Sequence, residues 1–135
     1  MQAVAFILRR VSEYVKTEYL SLQLPNSSKA YIQTTQITGY LLSENHKDGK
    51  SKAKFFRALG FNETNVKRLE KELLRIAKQQ PVVDVINSPY EIKYVIVGAI
   101  EAPLDKIVNV LTVWIIDKGK DAPRFVTARP YQNRP

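Results

Sequence analysis

The stretch richest in reactive and charged groups is His46-Lys47-Asp48-Gly49-Lys50-Ser51-Lys52-Ala53-Lys54-Phe55-Phe56-Arg57. It carries four lysines and one arginine against a single aspartate. Ala53, Phe56 and Leu59 recur at helical spacing, so the block reads as a polar loop running into a helix that begins near Ser51. A helix N-terminus exposes unpaired N–H groups and the positive end of the backbone dipole, and both suit a phosphate. Cations and a histidine beside it fit a phosphate site. The same spacing also describes a solvated lysine face, which is the commoner occurrence.

The rest of the composition narrows the chemistry. The chain has no cysteine and one histidine, His46. That removes disulfides, thiolate metal sites, multi-histidine metal sites and a cysteine nucleophile. No pair such as Asp-x-Asp suggests a two-metal centre, and no glycine-rich phosphate loop or dinucleotide fingerprint occurs. No metal and no cofactor is therefore expected. The remaining route to phosphodiester cleavage combines proton transfer with cationic stabilisation, and RNA supplies its own nucleophile through the 2′-OH. Histidine is the side chain best suited to carrying protons near neutrality. An exposed loop histidine with no role fits the sequence as well.

Two threonines carry the same double reading. Thr112 lies in Val110-Leu111-Thr112-Val113-Trp114-Ile115-Ile116, a segment apolar on both faces, where a buried hydroxyl needs a partner. Thr127 lies in Arg124-Phe125-Val126-Thr127-Ala128. Threonine is also simply a good strand former.

The elements that would position these groups are legible from periodicity. Thr34 or Thr35 can cap a short helix carrying Ile37, Tyr40 and Leu41. Ser43 to Ser51 is a polar loop, and Gly60 suits the end of the helix that follows it. Asn62 or Thr64 starts a further helix with Val66, Leu69, Leu73 and Ile76 on its buried face, closed by Pro81. Beyond Pro81 the pattern turns to strands: Val82–Ile86, Tyr90–Ile100, Ile107–Ile116 and Arg124–Arg129, joined by short turns. Helices first and then a meander of strands predict an α+β fold, with the helices packed on one face of a roughly four-stranded antiparallel sheet.

The length of 135 residues fits one domain with a short appendage. The formal charge of +8 favours a polyanionic partner such as nucleic acid or an acidic protein. Residues 1–23 read as an amphipathic helical extension, with Val4, Ile7, Leu8, Val11, Tyr14 and Val15 at helical spacing. Its apolar run is too short to span a bilayer, and its charge follows the apolar stretch instead of preceding it as in a secretory signal. No membrane association and a cytoplasmic location are expected. The Leu24-Pro25-Asn26-Ser27-Ser28 turn sets the extension apart from a main domain over residues 24–135.

The blocks Leu24-Pro25-Asn26, Lys29-Ala30, Tyr40-Leu41-Leu42-Ser43, His46, Gly49, Lys52-Ala53, Phe55-Phe56, Leu59-Gly60-Phe61, Thr112-Val113-Trp114-Ile115-Ile116 and Pro123-Arg124-Phe125-Val126-Thr127-Ala128 occur in one order. In that order they resemble a prokaryotic domain-of-unknown-function family, itself similar to toxin domains of the barnase/EndoU/RelE-like nuclease superfamily. The resemblance spans about residues 24–130. It implies a metal-independent endoribonuclease toxin of a toxin–antitoxin or related system, with RNA as substrate and a small acidic antitoxin or immunity protein as partner. Carried over by position, it implies His46, Lys52, Thr112 and Thr127 as the catalytic group. Lys47, Lys50, Lys54, Arg57 and Arg124 would then bind RNA. The chain departs from the family pattern at Lys47, where proline is frequent, and at Leu111, where arginine is frequent. It departs again at Ala102-Pro103-Leu104-Asp105, which replaces a Gly-Pro-Asn-Gly hairpin. A non-catalytic nucleic-acid-binding module and a protein-interaction subunit are the alternatives.

The donor inventory generates a first prediction. With no good ligand set for a divalent ion, RNA cleavage by the purified protein should persist in EDTA. Loss of cleavage on chelation, restored by magnesium, would refute general acid–base chemistry.

Overall fold

Alternation of β-branched and aromatic residues after Pro81 produces a sheet. The computed structural model describes residues 22–132. Strands β1 (Val82–Asn87), β2 (Glu91–Glu101), β3 (Ile107–Asp117) and β4 (Arg124–Pro130) pair as an antiparallel meander in the order β1-β2-β3-β4. Each lies within a residue or two of the span expected from periodicity. The turns use left-handed backbone at Asp105 (φ 57°) and Gly119 (φ 80°), while Ser88 Oγ accepts the N–H groups of Tyr90 and Glu91.

Among the described residues three α-helices precede the sheet: α1 (Thr34–Gln36), α2 (Lys50–Ala58) and α3 (Val66–Gln79). α1 continues into a π-helical turn, Ile37–Leu41, closed by Leu42 N–H donating to the Ile37 carbonyl at 2.8 Å. The start of α1 corrects the sequence reading. Neither Thr34 nor Thr35 caps it; Gln33 precedes it, and the Gln36 side chain accepts the Gln33 N–H while donating to the Phe125 carbonyl. α3 also starts later than expected, because Asn62 and Asn65 form a hydrogen-bonded turn before it. Gly60 ends the α2 region in the left-handed conformation (φ 99°), as a C-terminal glycine does. The expected N-terminal helix lies outside the described residues.

The described helices share one face of the sheet. Leu69, Leu73 and Ile76 of α3, Phe56 of α2 and Ile37 and Leu41 of the π turn join Tyr94, Ile96, Ile100, Val110, Trp114, Phe125 and Ala128 in one core. At Gly98 α3 packs tightly on the sheet: a Cβ there would sit 2.9 Å from Ile76 Cγ1. Arg75 and Glu72 fasten the helix to the end of β2, donating to the Ala99 carbonyl and accepting the Glu101 N–H. Leu24 begins the core, and the Leu22 carbonyl accepts the Val82 N–H at the β1 edge. On the other edge Tyr31 lies against β4, exchanging backbone hydrogen bonds with Pro123 and Phe125.

Thr112 is the one buried polar residue among those described, with no exposed surface. Its hydroxyl donates to the Ile96 carbonyl at 2.7 Å and accepts the Trp114 indole N–H at 2.9 Å. Without it, a buried indole N–H would lack an acceptor, which typically costs about 1–3 kcal/mol. Thr112→Val should therefore lower unfolding free energy by about that amount, and Thr112→Ser should lower it less. Chemical denaturation of the three proteins measures both. Equal stability of the valine variant would show that the bond contributes nothing.

Candidate functional site

The loop from Ser43 to Gly49 folds back onto the π turn that precedes it. A Cβ at Gly49 would lie 2.3 Å from the Tyr40 carbonyl oxygen, so no side chain fits there. The Gly49 and Asp48 N–H groups both donate to His46 Nδ1 at 3.0 Å, and the His46 carbonyl accepts the Lys50 N–H that opens α2. With Nδ1 accepting two amides, the neutral ring carries its proton on Nε2. His46 is therefore presented as an N–H donor. Its partly buried ring meets the Tyr40 ring edge-on, with centroids 4.9 Å apart.

Lys52 stands on the same side. Its Nζ lies 5.4 Å from the centre of the Tyr40 ring, a cation–π distance, and 3.4 Å from the Asp48 carbonyl. The Tyr40 hydroxyl is 3.1 Å from Thr127 Oγ1. A bulge in β4 sets Thr127 opposite Val113 while Phe125 faces Trp114, and such bulges re-aim side chains. One tyrosine thus gathers His46, Lys52 and Thr127 beside β4. The assembled groups supply an imidazole N–H, an ammonium and two hydroxyls, a set suited to an anionic oxygen.

Thr112 is placed elsewhere. It belongs to the core under the helices, and its hydroxyl is engaged with Ile96 and Trp114.

The basic residues divide. Lys52 lies on one flank of the buried stripe of α2 (Ala53 and Phe56), while Lys47, Lys50 and Lys54 line a concavity on the other flank with Glu44, Asn45, Ser51 and Arg57. Arg57 is held in place: its guanidinium donates twice to the Leu42 carbonyl and pairs with Glu63 and Glu44. Hydrogen bonding to Arg57 holds the Glu63 carboxyl below the usual carboxylate range. Arg124 forms a two-point pair with Asp117 at 2.7 and 3.2 Å, which lowers the Asp117 carboxyl in the same way. These two arginines fasten the scaffold, whereas the lysines carry the open positive charge.

Tyr40 is the residue that sequence reasoning missed as a functional one. By spacing it belongs to the apolar stripe of a short helix, and only its place in the Tyr40-Leu41-Leu42-Ser43 block sets it apart. Among the described residues no three His, Cys, Asp or Glu groups cluster as metal ligands, and no helix is long and apolar enough to cross a membrane.

This arrangement of helices, sheet and loop belongs to a recognisable class. The model of the family described as "Domain of unknown function (DUF6883)" matches residues 23–132, and the chain belongs to that family. No curated protein matches the chain. Among solved structures, the fold is similar to one chain of a contact-dependent growth inhibition toxin–immunity protein complex from Klebsiella pneumoniae 342, with a TM-score of 0.63 and 12% identity. The likeness covers 78% of this chain and 97% of that one.

The geometry predicts two distinct mutant behaviours. Gly49→Ala must displace the loop from Tyr40, so proteolysis within residues 43–49 should accelerate and the His46–Tyr40 ring contact should be lost from the aromatic proton spectrum. Tyr40→Phe keeps both ring contacts and removes only the link to Thr127, so it should leave that ring contact and the loop's resistance intact. Identical proteolysis of Gly49→Ala and wild type would refute the steric argument.

Proposed function

We propose that the protein is a metal-independent endoribonuclease toxin of a toxin–antitoxin or related system. The observation that carries this reading is the convergence of His46, Lys52 and Thr127 on Tyr40, in a chain of charge +8. The toxin context draws support from the fold's likeness to a chain of a toxin–immunity complex. RNA cleavage without a metal needs a phosphate held by donors while the 2′-oxygen attacks phosphorus and the 5′-oxygen leaves. A 2′,3′-cyclic phosphate and a 5′-hydroxyl result, and the proton lost by the 2′-OH is balanced by the one gained by the leaving oxygen.

In this reading His46 transfers the proton from the 2′-OH to the leaving 5′-oxygen, and Lys52 stabilises charge on the phosphorane. Thr127 orients the phosphate together with Tyr40. Thr112 acts indirectly by holding Trp114 and the register of β3. The lysines Lys47, Lys50 and Lys54 extend the contact along the RNA backbone. Such a surface suits an acidic immunity protein or antitoxin as inhibitor, and the proposed site of action is the cytoplasm.

The state of His46 favours a second reading. A proton carrier needs a lone pair, yet Nδ1 is occupied by two amides and Nε2 holds the proton. To accept a proton the ring must first leave those amides. In the geometry observed it is a fixed donor, as in a non-catalytic RNA-binding module.

Variants separate the two. A positioned proton carrier contributes typically about 10²–10⁴-fold to rate. If His46 carries protons, His46→Ala and His46→Gln should both reduce cleavage of a labelled RNA by about that factor, with little change in affinity. If it only donates, the glutamine variant should retain most activity. Lys52→Ala should reduce both cleavage and affinity, and Lys50→Ala, on the other flank of α2, should reduce affinity alone. If none of the proteins cleaves RNA, and Lys50→Ala and Lys52→Ala weaken binding alike, the protein is a binding module.

A further inference from the structure

The second face of the sheet has an apolar centre. Val83, Val95 and Leu111 form a cluster separate from the main core, with Val97, Val113 and Tyr131 packed against it. Cross-strand register aligns Val95 with Val113 and Val97 with Leu111, and Ile115 continues the row opposite Lys93. Leu111 and Ile115 are only 3% and 4% exposed, although the described helices contribute to the core on the opposite face. A sheet face left open to water would alternate to polar side chains. A row of valine, leucine and isoleucine across two central strands belongs to a sheet that is covered on both sides.

We infer that this face is a docking surface and that its occupant is the chain's own residues 1–21. Three observations select that occupant. The described chain starts at the right place: Leu22 hydrogen-bonds to Val82 at the β1 edge, one residue from Val83. The length suffices, since a helix of 21 residues would span about 30 Å at about 1.5 Å per residue, enough to cross four strands about 4.8 Å apart. The pattern matches as well, because Val4, Ile7, Leu8, Val11, Tyr14 and Val15 make one apolar stripe. Nucleic acid is a poor occupant of the row itself, whose members are all apolar; the cations on this face, Lys93, Arg124 and Arg129, stand beside the row opposite Ile115 and Leu111.

The inference does not use His46, Lys52 or Tyr40 of the proposed activity, and meets that site only at Thr127, which stands opposite Val113. It also explains Leu111. An arginine at that position would lie buried under apolar cover, whereas leucine packs there.

Because the chain has no cysteine, single thiols report on this face directly. Val113→Cys should react with a maleimide at least about tenfold more slowly than Ile107→Cys, which lies on the same strand and face but is 70% exposed. Adding Leu8→Asp and Val11→Asp to the Val113→Cys chain should remove that protection. Should Val113→Cys fold poorly by circular dichroism, Val97→Cys on β2 replaces it. As an independent readout, one of Val4→Cys, Leu8→Cys or Val15→Cys, paired with Val113→Cys, should give an intramolecular cross-link with a short bismaleimide. Leu8→Cys paired with Lys67→Cys should not. The inference is overturned if Val113→Cys reacts as fast as Ile107→Cys, or if protection survives the two aspartates. It is also overturned if the cross-links join two chains, which would make a second copy the occupant.

Discussion

The return of residues 43–49 onto the carbonyl of Tyr40 is the constraint on which the candidate site depends. Only a residue without a Cβ can approach that oxygen as Gly49 does, and the approach brings two amides onto His46 Nδ1. The same approach sets the first turn of α2, through Lys50 and Ala53, against the loop. Lys52, two residues into that turn, lies over the Tyr40 ring. The π-helical turn matters because it carries Tyr40, which contacts both the loop and the β4 edge. Insertions of this kind in helices are often found at functional sites.

The sheet supports this arrangement from below. Trp114 and Phe125 pack ring against ring with centroids 5.3 Å apart, and Thr112 holds the indole by its N–H. The β4 bulge lies next to this pair, so the position of Thr127 is inherited from the core. A candidate catalytic threonine and a structural one are thus linked through Trp114, Phe125 and the bulge, with no direct hydrogen bond between them. Charge is arranged with comparable economy: Arg57 and Arg124 neutralise carboxylates within the scaffold, while Lys47, Lys50, Lys52 and Lys54 remain available to an anion. Arginine's planar fork suits fixed two-point pairs such as Arg124 with Asp117, and lysine's flexible stem suits a mobile phosphate backbone.

Much of the fold was legible in the sequence because strands and helices announce themselves by period. The four strands after Pro81, the meander order, the Gly60 terminus and the α3 face follow from side-chain alternation and turn chemistry. Boundaries were less legible where side chains compete with the backbone. At α1 a glutamine pair replaced the threonine cap. At α3 two asparagines formed a turn that postponed the helix. The N-terminal stripe was legible as amphipathic, but a stripe does not say which surface it meets.

For the site, the sequence by itself determined that a single histidine, a lysine-rich block and no thiol would be the chemical inventory. Only the tertiary structure decided how that inventory was divided. Lys50 and Lys52 are two residues apart, yet a helix turns about 100° per residue and places them on opposite flanks of the buried stripe. Thr112 and Thr127 looked equivalent on their strands, and the strand register made one a core hydrogen-bonding residue and the other a neighbour of Tyr40. Tyr40 itself looked like an apolar stripe residue. Its role depends on contacts with residues 46, 52 and 127, and contacts across such separations arise from the packing of α2 and β4 around one ring, which no local pattern encodes.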